Sequence, residues 1–337
     1  MQTILKKTRG NLYMKINKVS DLFNVEDKQS DLEYVNICID GADNRLYVDG
    51  IQIAGNSDAL SKRCNIIIED FFNTIFEHLG KNEHITLKKL LDQSKENNSL
   101  RLGKSEISPG ALAVGKGCSQ DMLYKLFTRV INKNRNLIES GLIKKPMDTV
   151  LFIKGFGEDR MSDLIVSLIF KELIEFTNGQ ASNAPNKPKT EKVKGKFWNH
   201  ITHNWDTFTY DQILDLQNRP LTLVPKNFVT DKYVYRVDRY ISSCLVVYEK
   251  EIRLKENPNY KCPNIKSLKK ELENSLGLTG TEFIITYTLN HLKDRDLVEK
   301  FRRDNEHNSK GNYRGKLTDQ ELTSIIEAPY MEMDDIG

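Results

Sequence analysis

Apolar residues recur at three- and four-residue spacing through Leu60, Cys64, Ile67, Phe71, Ile75 and Leu79, the stripe that an amphipathic helix lays against a core. Ser57 or Asp58 precedes the stripe and is of the type that caps a helix N-terminus. Upstream, Val35 to Asp40 and Leu46 to Ile53 read as strands, and the turn-prone Gly41-Ala42-Asp43-Asn44 between them predicts a hairpin or two adjacent strands. Thr149 to Ile153 is a short apolar, β-branched run that also reads as a strand. It is followed by Gly155-Phe156-Gly157 and then by helical periodicity from about Asp159 to Phe176. Pro220 to Val224 predicts a buried strand, and Val237 to about Leu254 and Glu282 to Phe301 predict helices. The fold class this pattern predicts is α/β, a mixed sheet flanked by helices with a smaller, mostly helical C-terminal part.

Breaks in the pattern suggest the organisation. Residues 1–13 are basic and aperiodic, which predicts an N-terminal tail or a natural start at Met14. An α/β core is expected over 14–177, and its polar passage from Gln93 to Gly117 holds four glycines before Ser119 caps a second long helix ending near Gly141. Asn178 to Lys196, with Pro185, Pro188 and several lysines, offers little to bury and predicts a linker or mobile surface loop. Residues 197–301 continue the core and add a helical region, and 302–337 read as a polar tail with an acidic end.

Composition narrows the classes. The 337 residues are 39% hydrophobic and 29% charged, the balance of a globular protein able to bury a sizeable core. Charged and polar residues interrupt the longest apolar stretches, so no membrane span is expected, and Met1 to Gly10 lacks the apolar core of a signal peptide. The five cysteines are scattered without a CxxC pair, which predicts reduced thiols in a cytoplasm rather than a disulfide framework. A net charge of +3 permits nucleic-acid binding without requiring it.

The densest chemistry lies in Gly155-Phe156-Gly157-Glu158-Asp159-Arg160-Met161-Ser162-Asp163-Leu164. Asp159 and Asp163 are four apart, share a helix face, and are candidate ligands for one hard cation, Mg2+ or Mn2+. Glu158 is a candidate third ligand or base, while Arg160 and Ser162 are candidate phosphate contacts. The same carboxylates would equally complement the positive end of a helix, a purely structural role. Gly110 to Lys116 spells GxxxxGK, but Gly117 stands where a P-loop needs Ser or Thr, which leaves Lys116 as a candidate phosphate contact only. Lys226 ends the buried run Leu221 to Val224, with Val224 where PD-(D/E)xK nucleases carry an acidic residue, so Lys226 is a candidate only for stabilising developing charge. His200 and His203 lack a third ligand at zinc spacing.

Together with Leu46-Tyr47-Val48-Asp49-Gly50, Leu102-Gly103-Lys104-Ser105 and Leu223-Val224-Pro225-Lys226, this glycine-to-aspartate segment resembles a family of uncharacterised bacterial proteins with a GxGxDRxSDL-like motif, over roughly residues 14 to 230. Here Gly50 replaces the family's proline. The resemblance implies membership of mobile or defence-associated gene sets, with a protein partner, and implies no particular activity. From the residues, the favoured expectation is a metal-dependent nuclease cleaving DNA or RNA, with Glu158, Asp159, Asp163 and Lys226 as its catalytic set. The alternative is a non-catalytic nucleotide- or nucleic-acid-binding sensor or adaptor of a multi-protein system. Convergence of Asp49, Asp159, Asp163 and Lys226 in one pocket would favour the enzyme.

Overall fold

The computed structural model describes residues 6–8, 11–13, 17–26, 28–39, 44–93, 97–103, 123–128, 140–306 and 315–331. The chain is of mixed α/β class with a helical C-terminal part, as its hydrophobic pattern implies, and its strands pair antiparallel in small sheets. No described helix is long and apolar enough to cross a membrane.

Two short strands, β1 (Lys6–Thr8) and β2 (Asn11–Tyr13), pair within the segment expected to be a tail. Helix α1 (Val19–Phe23) follows, then β3 (Tyr47–Val48) and α2 (Gly50–Gly55). The strand expected over Leu46 to Ile53 is therefore cut short. Asp49 turns the chain into a helix instead, its Oδ1 accepting from the Ile51 N–H at 2.9 Å as an N-cap. Alternation over so short a run does not separate the two structures. Val35 to Ile39 forms no named strand either. It is buried and held singly, the Val35 N–H donating to the Val224 carbonyl and Lys18 bridging to Cys38.

Helix α3 (Ala59–Gly80) is the expected amphipathic helix, and Asp58 caps it by accepting from the Ser61 N–H at 2.9 Å. Its Phe71, Phe72 and Ile75 are fully buried. Helix α4 (His84–Leu91) returns beside it. The run expected as a strand at Thr149 to Ile153 is helix α5 (Thr149–Phe152). A 3-10 turn at Pro146–Asp148 starts it, with Pro146 at the first turn and Asp148 accepting from the Lys144 and Lys145 N–H groups. That initiation signal outweighs the β-branched content of four residues. Helices α6 (Glu158–Leu168) and α7 (Phe170–Asn183) come next.

Asn178 to Lys196, expected as a linker or loop, is the end of α7 followed by most of strand β4 (Thr190–Asn199). Strand β4 pairs with β5 (Asn204–Leu214) over a continuous register from Thr190↔Ile213 to Asn199↔Asn204. The alternation is present in the sequence but masked: Lys192, Lys194 and Lys196 are exposed while Val193, Gly195 and Phe197 between them are half-buried. Trp198, wholly buried, sits edge-on to Phe71 at 4.9 Å and donates its indole N–H to Asp70, which fastens the ribbon to α3. His203 at the ribbon's tip lies 2.8 Å from the same carboxylate and so belongs to this fastening. Strand β6 (Pro220–Leu221) extends the sheet, and β7 (Val229–Thr230) pairs with β3.

The C-terminal part is helical: α8 (Val237–Tyr240), a π turn at Ile241–Leu245, α9 (Val246–Glu256), α10 (Ile265–Leu276), α11 (Gly280–His291), α12 (Leu297–Glu306) and α13 (Asp319–Met331). Much of the segment expected as a polar tail is thus helical. Leu322 and Ile326 of α13 are buried, and Lys18 pairs with Glu327 at 2.8 Å.

Candidate functional site

The turn between α5 and α6 is held from below and open above. Phe156 is buried against Phe127, centroids 5.4 Å apart, so the residues flanking it, Gly155 and Gly157, are pressed to the surface. Gly155 takes φ +83°, a conformation that strains any residue with a Cβ. The Arg160 guanidinium donates back to the Gly155 carbonyl and closes the turn. Gly157 is the N-cap of α6 and has no side chain to offer, so the first N–H groups of that helix are left without a side-chain acceptor.

A cavity of about 450 Å³ opens beside this turn. Gly157 and Glu158 border it from the start of α6, and Thr281 borders it from the first turn of α11, where the Glu273 carboxylate accepts from the Gly280 N–H at 3.4 Å. Lys154, exposed, and Arg236, half-buried, complete the rim. Arg236 shares one terminal nitrogen with Asp238 at 3.2 Å, while its buried Nε meets no acceptor among the described residues. The N-terminus of α6 and Lys154 make a field that favours an anion, while Asp238 offsets part of the charge of Arg236. Glu158 opposes it with a carboxylate. Burial pushes that carboxyl up from the usual range, and Arg236 works in the other direction.

The other face of α6 carries the remaining carboxylates. Asp159 is exposed and Asp163 half-buried, and a Cβ on Gly103 would stand 4.0 Å from Asp159 Oδ1, which brings the Leu102-Gly103 segment against the acidic helix. Burial lifts the Tyr47 phenol to about 12, and Glu158, Asp159 and Asp163 add to the shift. Tyr233, entirely buried, is likewise raised, by burial and then by Asp49, Glu158 and Asp163. The Tyr233 hydroxyl donates to the Val48 carbonyl. Asp49 is itself buried, and its Oδ2 has no donor among the described residues; burial raises its carboxyl to about 7.

Several residues singled out from the sequence are occupied in holding the fold. Ser162 is buried and accepts from the Val48 N–H at 2.9 Å, pinning α6 to β3 rather than facing a phosphate. Lys226 pairs with Asp319 of α13 at 2.9 Å and reaches the Gln29 and Ser30 carbonyls, so its described partners lie outside the acidic corner. Lys116 and its glycine loop lie outside the described residues. No group of three or more His, Cys, Asp or Glu among the described residues is arranged to hold a metal ion. Lys154 and Arg236 escaped the sequence reading. Lys154 stands directly before the glycine turn and was legible; Arg236 is 82 residues further on, in a Tyr-rich run, with nothing in spacing to join them.

A match to a protein family covers residues 24–236, which takes in β3, the glycine turn, α6, the ribbon and Arg236. The chain belongs to that family, described as a domain of unknown function, DUF8370. The DUF8370 region ends just before α8, so the helical C-terminal part, including Thr281 on the cavity rim, lies beyond it. No curated protein and no solved structure matches the chain.

Proposed function

We propose that this chain is a nucleotide- or nucleic-acid-binding sensor or adaptor subunit of a multi-protein system, of the kind used in bacterial anti-phage defence, and that phosphate is the group it recognises. The observation that carries this reading is the meeting of the N-terminus of α6, where Gly157 has no side chain to cap it, and the first turn of α11 with Lys154 and Arg236 around one cavity. Backbone N–H groups at the glycine turn approach a phosphate closely, because neither Gly155 nor Gly157 interposes a side chain. Lys154 supplies a mobile charge and Arg236 a planar fork. Glu158 limits the site to ligands that bring a cation or reach past it.

A second reading, a metal-dependent nuclease using Mg2+ or Mn2+ on Asp159 and Asp163, is favoured by one observation: the two carboxylates stand four residues apart on α6, Asp159 exposed and Asp163 half-buried. It ranks lower because Lys226 and Ser162 are committed to other contacts. The test is calorimetric titration of ATP, pyrophosphate and a single-stranded oligonucleotide into the full chain and its Lys154→Ala and Arg236→Ala variants. Each variant is expected to bind about tenfold more weakly, with a shallower salt dependence for the oligonucleotide. Wild-type affinity in both variants would remove the cavity from the site.

A further inference from the structure

Strand β4 is the edge of its sheet, whose order is β4-β5-β6. The Leu214 N–H donates to the Lys189 carbonyl at 2.8 Å, which fixes the sense of the ladder. In an antiparallel pair, residues that exchange hydrogen bonds alternate with residues that do not. Counting from that bond along the register, Glu191, Val193, Gly195 and Phe197 turn their N–H and carbonyl groups towards β5. Lys192, Lys194 and Lys196 turn theirs outward, and these backbone groups meet no partner among the described residues.

The far edge of the ribbon, on β5, is treated differently. Strand β6 pairs there at Ile213 and Leu214, and the Trp205 and Thr207 N–H groups donate to the Asn204 and Asp206 side chains at 2.8 and 2.7 Å. Helix α7 covers the face of β4 that carries Val193, Gly195 and Phe197. Phe170 comes within 3.6 Å of where a Cβ on Gly195 would stand, and Lys171 sits 4.5 Å over the Phe197 ring. A cavity of about 580 Å³ borders residues 193–196 of the strand beside Gln93 and Asn97.

The side chains state what an added strand must carry. Lys192, Lys194 and Lys196 lie on the opposite face to Val193 and Phe197, and all three are exposed. Asp211 meets Lys192 at 2.9 Å and the Gln93 side chain meets Lys196, while Lys194 has no partner among the described residues. Glu191 is the one acidic residue of β4. A second copy of β4 would set lysine against lysine, which protects the edge from pairing with itself. A strand with a carboxylate at every second position reverses that sign, and the residues between its carboxylates fall on the side of Val193 and Phe197.

We propose that the free edge of β4 takes up an extended, acidic segment of a protein partner in which Asp or Glu alternates with apolar residues. The segment's backbone continues the ladder on the outward groups of Lys192, Lys194 and Lys196, and its carboxylates stand beside the three ammonium groups. Main-chain hydrogen bonds supply affinity, and the lysine row selects the sequence. None of these residues borders the cavity beside the glycine turn, so the inference is independent of phosphate binding.

The probe is a labelled peptide, TEVEVET, titrated with the full chain and read by fluorescence anisotropy. EEEVVTT, with the same residues out of alternation, and TKVKVKT are the comparisons. The variants are Lys194→Gln and Lys194→Pro. Both lose the same charge, and proline also removes the outward N–H, which the β4–β5 ladder does not use. TEVEVET is expected to bind at least about tenfold more tightly than either comparison. Lys194→Gln should weaken it about threefold and Lys194→Pro about tenfold or more. In the wild type, saturating TEVEVET should slow amide exchange at Lys192, Lys194 and Lys196. The proposal is overturned if TEVEVET binds no more tightly than EEEVVTT or TKVKVKT, or if those three amides exchange as fast with the peptide as without it. It is overturned equally if Lys194→Pro, folded, binds as Lys194→Gln does; should Lys194→Pro not fold, the wild-type exchange pattern decides.

Discussion

Asp49 gives the sharpest quantitative expectation. It is 1% exposed, one carboxylate oxygen caps α2, and the other has no donor among the described residues. Burial raises its carboxyl from the ordinary 3.8 to about 7 in the folded chain. Between those values the native state holds a proton that the unfolded chain has released, so stability falls as pH rises and levels off above the folded value. A shift of about three units, at about 1.4 kcal/mol each, corresponds to about 4 kcal/mol lost between pH 4 and pH 8. Glu172, also raised to about 7 by burial, contributes with the same sign, so the wild type alone does not isolate Asp49. Asp49→Asn does. Asn caps a helix as well as Asp but carries no proton to release in this range. Urea denaturation of both proteins across pH 4 to 8 should show the stability difference, variant minus wild type, growing by about 4 kcal/mol towards the alkaline end. Parallel curves would refute the reasoning, because they would mean that Asp49 titrates alike in folded and unfolded chains.

Ser162→Ala should cost about 1–3 kcal/mol in urea denaturation by leaving the buried Val48 N–H without an acceptor, and an unchanged midpoint would show that the pin between α6 and β3 is dispensable. Asp215 is buried, which by itself would raise its carboxyl, but hydrogen bonds from the Arg219 N–H and from the Arg101 and Arg219 guanidinium groups outweigh this and hold it below the usual range. Its contribution is present above the unfolded carboxylate range and is lost as pH falls through the lowered folded value. Asp215→Asn should therefore destabilise by about 3 kcal/mol at neutral pH, with the difference shrinking in acid; a difference independent of pH would contradict this. Hydrogen exchange should find the paired amides of β4 and β5 protected, and exchange at the rate of an unstructured chain would contradict the ribbon.

The parts of the fold legible in the sequence were those where periodicity ran long. The stripe from Leu60 to Leu79 could only be a helix, and Asp58 caps it. Short runs failed because four or five apolar residues fit either structure: Pro146 and Asp148 made Thr149–Phe152 a helix, and Asp49 did the same for Gly50–Gly55. Strand β4 was hidden by its own lysines, which mark a solvent face and look like the composition of a linker. At the candidate site, the glycine turn and Glu158 were visible as a dense local motif. Arg236 and Thr281 reach the same cavity only through tertiary packing, and Lys226 was drawn away by Asp319, a partner no spacing foretells.

The measurement that bears most directly on the proposed role pairs binding with turnover. A labelled single-stranded oligonucleotide is incubated with a stoichiometric amount of the full chain in Mg2+ or Mn2+, its retention is measured, and the recovered strand is sized. The account predicts retention that depends on Lys154 and Arg236 and an oligonucleotide recovered intact. Cleavage that disappears in Asp159→Asn and Asp163→Asn would contradict it and place a metal-dependent nuclease at the acidic face of α6.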